Sequence, residues 1–205
     1  MRGKVKVVLS RNETLFFDKR DPYHLSKIAK HYIAGVLRHA REMSIVTNQW
    51  VNSYKRLITG YEAPINVLWA QNNRSALVRI PVHKSGKEES VRVEFRSPDP
   101  ACNPYLAYSV MLAAGLKGIQ EQYKLPLPQE EDLTHLSRQE RSVRGVEQLP
   151  SNLGEAIQIA EGSDFLKEAL GKEIFNMLIQ NKKIEWDNYR RHVSQYEINK
   201  SLPIL

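Results

Sequence analysis

The chain of 205 residues is 41% hydrophobic, which suffices for one domain with a core and excludes a compositionally disordered protein. Its single cysteine, Cys102, excludes an internal disulfide framework and a cysteine-cluster metal site, and it fits a reducing cytoplasm. No apolar run approaches the roughly 20 residues that span a bilayer, and the first ten residues, MRGKVKVVLS, contain no apolar h-region, so neither membrane insertion nor secretion is expected.

The net charge of +7 raises nucleic acid as a partner, because clustered Lys and Arg attract a phosphate backbone. The conspicuous arginines, however, fall between Arg56 and Arg96 and are interleaved with Glu62 and Glu94. They do not form a uniform basic stripe. This pattern favours a small polyanionic ligand, and nonspecific nucleic-acid binding ranks last among the hypotheses.

The first predicted elements are a strand, a helix and a long loop. Residues 4–9 begin as an alternation of polar and apolar residues, which predicts a strand. From Pro22 to Ala40 the apolar positions follow helical spacing, with Asp21 as N-cap and Pro22 at the first helical position. Residues 47–64 show neither period and contain Asn, Gly and Pro, so they are predicted to form a loop.

The middle of the chain predicts short strands, and the last third predicts helices. The expected strands cover residues 65–70, 76–82 and 90–96. After Asp99 the sequence is small and apolar around most of a helix, which predicts a buried element, and a proline-bearing break follows at 125–129. The predicted fold class is therefore α+β: an antiparallel sheet of short strands packed with helices, and a helical C-terminal third.

The densest chemical signal is the segment VRVEFR. Arg92, Glu94 and Arg96 stand at i, i+2 and i+4, so in a strand all three point to one face. A carboxylate between two guanidiniums suits a hard cation, while the arginines suit phosphate or carboxylate oxygens. An isolated pattern of this kind is more often a surface strand with cross-strand salt bridges. Arg74 and Arg79 in the same region shift the interpretation towards a binding site.

Five motifs occur in order: NSYKRL, GYEAP, NRSALVRIP, VRVEFRSPDP and NPYLA. Together they resemble the signature run of type I glutamine synthetases, and the similarity extends from about Leu15 to the C-terminus. The resemblance implies that residues 1–205 are one partial catalytic domain, its C-terminal part. The family's N-terminal β-grasp domain and the first half of the catalytic domain are then absent from this sequence.

The resemblance also implies substrate contacts for four residues. Arg56 and Arg96 would bind the carboxylates of glutamate. Glu62 would lie on the flap that closes over the substrate and would help to take a proton from bound ammonium. Arg74 would contact the transferred phosphoryl group.

Three further residues would serve the nucleotide and its metal. Arg79 and Arg92 would lie towards the phosphates of ATP, and Glu94 would be a ligand of one divalent cation, Mg²⁺ or Mn²⁺. The implied reaction phosphorylates the glutamate side chain with ATP, and ammonia then displaces phosphate to form glutamine. Glutamate, ammonia and ATP are the expected ligands.

The sequence departs from the family pattern at the metal site. The family's other metal-binding glutamates lie upstream of the region present here, and Lys4 and Lys6 stand near its H-x-H signature. A protonated lysine has no lone pair for a metal, so one ligand is lost and only Glu94 remains. Regulation by nucleotidylation is not expected either, because no tyrosine stands near Thr134 and His135.

Three hypotheses follow from the resemblance. The chain is part of a cytoplasmic glutamine synthetase that needs other subunits or an N-terminal half supplied by another polypeptide. Alternatively, it is a non-catalytic remnant that binds nucleotide or a synthetase subunit. A relative of the γ-glutamyl-polyamine ligases, with a different acceptor amine, is the third hypothesis.

Overall fold

The computed structural model describes residues 5–7, 15–58, 64–82, 86, 88–131, 133 and 136–204. The strands in these ranges are β1 (Val5–Val7), β2 (Asn66–Ala70), β3 (Ala76–Arg79) and β4 (Val93–Phe95). The helices in them are α1 (Lys27–Arg38), α2 (Ala40–Thr47), α3 (Val51–Lys55), α4 (Pro104–Gln120), α5 (Arg138–Val143), α6 (Leu153–Glu161), α7 (Asp164–Leu170), α8 (Lys172–Arg191) and α9 (Gln195–Ser201). Short 3-10 turns cover Glu88–Ser90 and Leu202–Ile204.

The four strands form one sheet in the order β1-β4-β3-β2. β4 pairs antiparallel with both β1 and β3, as expected, and the predicted α+β class is confirmed. The expectation of an antiparallel sheet is wrong for one pair, because β2 and β3 run parallel. The connection of residues 71–75 carries the chain back beside the start of β2, so that Ala76 pairs with Asn66.

Helix α1 begins later than its apolar pattern predicted. The Asp21 carboxylate does not cap a helix at Pro22; it accepts hydrogen bonds from the backbone N–H groups of Tyr23 and Leu25, each at 3.0 Å. His24 then adopts a positive φ of 56°, which a right-handed helix cannot include. Ser26 is the actual N-cap, and its hydroxyl accepts from the Ala29 N–H at 3.1 Å.

The predicted loop at 47–64 is also partly wrong, because it contains the short helix α3. Sequence periodicity cannot detect a helix of only five residues. The Val51 N–H, the first of this helix, donates to the Glu185 carboxylate at 3.2 Å, although the two residues are far apart in sequence. Long-range capping therefore supports a helix that local sequence does not predict.

The core contains an unusually close pair of helices, α1 and α4. Asn103 caps α4, with Pro104 at its first position. A Cβ added at Gly35 would lie 2.1 Å from the Ala114 carbonyl oxygen, and one at Gly118 would lie 2.2 Å from the His31 carbonyl oxygen. The two backbones can approach to this distance only because these positions carry no side chain.

The prediction that α4 is a buried element is wrong for one side of the helix. One side is in the core, but the opposite side exposes Tyr105, Tyr108, Leu112 and Leu116, with Tyr105 82% exposed. We call these four residues the α4 outer face. It carries no charged side chain, which is unusual for a helix that faces water.

The helical C-terminal third is confirmed. α6 packs on α2 and α8, and α7 packs on α4 and α8. Helix α9 has no buried residue. Among the helices in the described part of the chain, none is both long and apolar enough to cross a membrane.

A polar cluster joins the α1–α2 junction to the start of α7. The Glu42 carboxylate accepts from His39 Nδ1 at 2.8 Å and from the Ser163 hydroxyl, which also caps α7. Burial raises the pKa of Glu42, but the hydrogen bonds from His39 and Ser163 outweigh it, so the pKa lies below its ordinary value. The ionised carboxylate therefore stabilises the fold.

We expect Glu42→Gln to lower the free energy of unfolding by about 1 kcal/mol near neutral pH. Because the folded-state pKa is lowered, this stabilisation is present above the unfolded pKa of about 4.5 and is lost as pH falls through the folded value. Urea denaturation between pH 3 and pH 7 should show the two proteins converging in acid. Glu168→Gln, whose side chain is 75% exposed, is the control and should track the wild type. A constant difference at all pH values would contradict the assignment.

Candidate active site

Strand β4 supplies the centre of the predicted site. Val93 and Phe95 are buried in the core, and Glu94 lies between them on the opposite face. Within the sheet, Glu94 is directly opposite Arg79 of β3 on one side and position 6 of β1 on the other. A charged residue in the middle of three strands is thus held by backbone pairing on both sides.

Arg79, Arg92 and Glu94 are in contact. Arg92 places Nη2 and Nε at 3.0 and 3.1 Å from Glu94 Oε1, and Arg79 Nη1 lies 3.8 Å from Glu94 Oε2. The Glu94 side chain is 8% exposed, whereas those of Arg92 and Arg79 are 32% and 42% exposed. A buried carboxylate therefore orients two guanidiniums that remain open to solvent, which an ordinary surface salt bridge does not do.

Arg96 and Arg74 are joined through the β2–β3 turn. Arg96 Nη1 donates to the Arg74 carbonyl at 2.5 Å and to the Ala76 carbonyl at 3.0 Å. Arg74 itself is exposed. The guanidinium of Arg96 thus lies against the turn, whereas those of Arg79 and Arg92 lie beside Glu94. Residues 92–97 thus connect to Arg79 through Glu94 and to the Arg74 carbonyl through Arg96.

Arg56 contacts the same segment from the other side. At the end of α3, its Nη2 donates to the Ser97 carbonyl at 2.6 Å and to Asn48 Oδ1 at 3.2 Å. Its Nε is buried and makes no hydrogen bond to any residue that the structure describes. Arg56 therefore holds the backbone next to Arg96 through its Nη2.

Three predicted features lie outside the described residues. They are the position of Lys4, Glu62 with the rest of residues 59–63, and the pair Thr134 and His135. The role of Glu62 and the absence of nucleotidylation therefore stay predictions.

The described residues do not by themselves fit a divalent metal. Glu94 Oε2 is buried without a hydrogen-bond partner, which suits one ligand bond. No group of three His, Cys, Asp or Glu side chains able to hold a metal occurs in the part of the chain that the structure describes. One carboxylate cannot supply the octahedral oxygen set that Mg²⁺ requires.

Sequence reasoning missed the residues that support the arginines. Asn48 and Ser97 hold Arg56, and Asn73 and Glu130 hold the β2–β3 turn. The available signals were weak: an Asn doublet before Arg74, and an acidic pair after the predicted break at 125–129. Only the three-dimensional contacts show what these residues do.

Comparison with known proteins identifies the family. The family model described as "Glutamine synthetase, catalytic domain" matches residues 5–201. The glutamine synthetase of Mycolicibacterium smegmatis is 49% identical over 189 residues, and that of Methanosarcina mazei is 46% identical over 193 residues. These matches cover 92% and 94% of this chain and 42% of each relative. The chain belongs to the glutamine synthetase family.

Solved structures agree with this assignment. GmaS without ligand matches with a TM-score of 0.75, and its ADP complex with 0.78, each at 33% identity over 92% of this chain. The match covers 41% and 42% of those two chains. The chain spans about 42% of the length of the curated relatives it matches, so it corresponds to part of their fold.

Proposed function

We propose that this chain forms the arginine-rich side of the active site of an ATP-dependent glutamate–ammonia ligase. The observation that carries the proposal is the contact set along residues 92–97, where Arg79 and Arg92 flank a buried Glu94 and Arg96 lies on the β2–β3 turn. Four guanidiniums gathered at one segment, those of Arg56, Arg79, Arg92 and Arg96, suit a ligand with several anionic groups.

The proposed reaction has two steps. The γ-phosphoryl group of ATP transfers to the side-chain carboxylate of glutamate, which releases ADP and gives an acyl phosphate. Ammonia then attacks the acyl carbon, the carbon–oxygen bond to phosphate breaks, and glutamine forms with loss of a proton. Guanidiniums that are already oriented stabilise the charge on the transferring phosphoryl oxygens without reorganisation.

Each arginine has a proposed role. Arg56 and Arg96 bind the glutamate carboxylates, and Arg74, on the exposed turn, contacts the phosphoryl group. Arg79 and Arg92, held by Glu94, lie towards the nucleotide phosphates. The ADP complex of GmaS supports nucleotide binding in a chain of this fold.

Two proposed groups depend on residues that the structure does not describe. Glu62 accepts the proton of bound ammonium. Mg²⁺ or Mn²⁺ would take Glu94 Oε2 as one ligand, and its other ligands would come from outside the described residues. Because the reaction needs Glu62 and the further metal ligands, we propose activity only for an assembly that supplies them. We propose the cytoplasm as its location.

Complementation tests this function. The chain is coexpressed with the part of the M. smegmatis synthetase that precedes the matched segment, and the purified mixture is assayed for glutamine formation. Activity that requires ATP and ammonium together is expected. Two soluble, folded partners that give no glutamine would overturn the ligase proposal and leave the non-catalytic remnant. A preference for a polyamine over ammonium would favour the third hypothesis.

The α4 outer face provides a surface for this partner. More than half of each relative's length lies outside the match, and in this proposal part of that length packs against the matched part. Four apolar side chains without a charge on a rigid helix are suited to such packing. We assign the face to the preceding portion of the synthetase fold.

We expect Leu112→Lys to weaken this association by about 100-fold, because docking would bury an ammonium without a partner. The substitution should leave the isolated chain folded, since Leu112 is 42% exposed and a lysine stem can lie along the helix. Sedimentation of the mixture and glutamine formation measure the loss. Val143→Lys, at an 84% exposed position on α5, is the matched control. Equal assembly by both variants would exclude this face.

A further inference from the structure

The β2–β3 turn, residues 71–75, is held by a segment far away in sequence, residues 126–131. The Glu130 carboxylate accepts from two consecutive backbone amides: Gln71 N–H to Oε1 and Asn72 N–H to Oε2, each at 2.9 Å. Both oxygens of one side chain are thus bound to the first half of the turn. A bidentate contact of this kind fixes the direction of both amides.

Asn73 holds the second half of the turn. Its amide Nδ2 donates to the Gln129 carbonyl at 2.8 Å and to the Glu131 carbonyl, and its Oδ1 accepts from the Ser75 N–H and hydroxyl, each at 2.7 Å. The residue is 4% exposed, and all four of its hydrogen-bonding positions are used. A fully satisfied buried amide specifies one conformation of the turn.

Trp69 anchors the 126–131 segment to the sheet. Its indole Nε1 donates to the Pro126 carbonyl at 2.8 Å, and the Gln129 N–H donates to the Trp69 carbonyl at 3.0 Å. Trp69 is buried in β2. The segment that carries Glu130 is therefore itself held in a defined place.

The turn contacts two arginines and contains a third. Its Gln71 carbonyl accepts from Arg79 Nε at 3.4 Å, its Arg74 carbonyl accepts from Arg96 Nη1 at 2.5 Å, and Arg74 is part of its backbone. The neighbouring Ala76 carbonyl is the second acceptor for Arg96. A shift of the turn would move all three guanidiniums together.

From these contacts we infer that Asn73 and Glu130 are positioning residues, which set the placement of Arg74, Arg79 and Arg96 without touching substrate. This rests on the proposed function for the roles of the arginines. An error of about 1 Å in such groups costs up to 100-fold in rate, because stabilisation of a transferring phosphoryl group depends on placement.

The test compares Glu130→Ala and Glu130→Gln in the complemented enzyme. We expect the kcat of glutamine formation, measured per folded molecule at 15 °C, to fall about 30-fold in the alanine variant. Glutamine keeps one acceptor oxygen and should fall about threefold to tenfold, a partial rescue by the conservative change. Glu131→Gln is the matched control, because the Glu131 side chain pairs instead with exposed Arg144 at 3.0 Å.

Amide hydrogen exchange gives a readout independent of activity. In Glu130→Ala the Gln71 and Asn72 amides should exchange at least tenfold faster, while the Val78 amide of β3 stays unchanged. A lower melting temperature with unchanged kcat would show a merely structural role and overturn the inference. Unchanged exchange at Gln71 and Asn72 would also overturn it. If the wild-type complex is inactive, the proposed function fails, and exchange alone then decides whether Glu130 holds the turn.

Discussion

Gly118→Ala should destabilise the chain by about 3 kcal/mol or more. Alanine ordinarily stabilises a helix interior by about 1 kcal/mol relative to glycine. Here the new Cβ would lie 2.2 Å from the His31 carbonyl oxygen and 2.7 Å from the Gly35 Cα. Both neighbours are backbone atoms of α1, so neither can rotate away.

The steric effect therefore outweighs helix propensity, and α1 and α4 must separate. Urea denaturation followed by circular dichroism measures the change. Gly162→Ala is the matched control, because its nearest neighbour would be the Ile159 carbonyl oxygen at 3.8 Å and its φ of −82° suits alanine. We expect the control to be neutral or slightly stabilising. A Gly118→Ala midpoint equal to that of Gly162→Ala would contradict the close packing of the two helices.

Arg96→Lys should lower kcat/KM for glutamate in the complemented enzyme by roughly 100-fold to 1000-fold, the range for loss of one preorganised charged donor. Arg96 Nη1 donates to the backbone carbonyls of Arg74 and Ala76. A planar guanidinium has further N–H groups that can bind a carboxylate in this position. Lysine has one compact ammonium group, which cannot bind the two backbone carbonyls and a substrate carboxylate at the same time.

The control for this substitution is Arg20→Lys. The Arg20 side chain is 91% exposed and pairs with Asp18, two residues away. Steady-state kinetics at varied glutamate and saturating ATP should leave this variant at the wild-type value. If Arg96→Lys also stays within about threefold of wild type, Arg96 does not bind the glutamate carboxylate.

The sequence predicted local contacts at the site better than distant ones. Arg92 and Glu94 are two residues apart in a strand, and period-two geometry is enough to place them together. Arg79 meets Glu94 through strand pairing, which depends on the register of β3 against β4. Glu130 is 58 residues from Asn72 and Gln129 is 56 residues from Asn73 along the chain, so no local pattern predicts these two contacts.

The errors in the fold have equally specific causes. Asp21 before Pro22 is a sound helix start, yet the same carboxylate can close a turn by accepting from Tyr23 and Leu25, and the structure uses it that way. The sequence of α4 is small and apolar around most of the helix, which is why it predicts a buried element. Among the described residues only one side of the helix is covered, and composition alone does not tell one side from the other.

Calorimetric titration of magnesium-ATP into the folded, monodisperse chain tests the central claim most directly. That claim is that Arg79 and Arg92, oriented by Glu94, form the phosphate-binding side of a ligase site. We predict saturable binding by the wild type and by Arg20→Ala, weakened about tenfold or more in Arg79→Ala, because a charge-assisted contact contributes about 1.5–3 kcal/mol. Absence of binding by folded wild type, or equal affinity of Arg79→Ala, would contradict the claim.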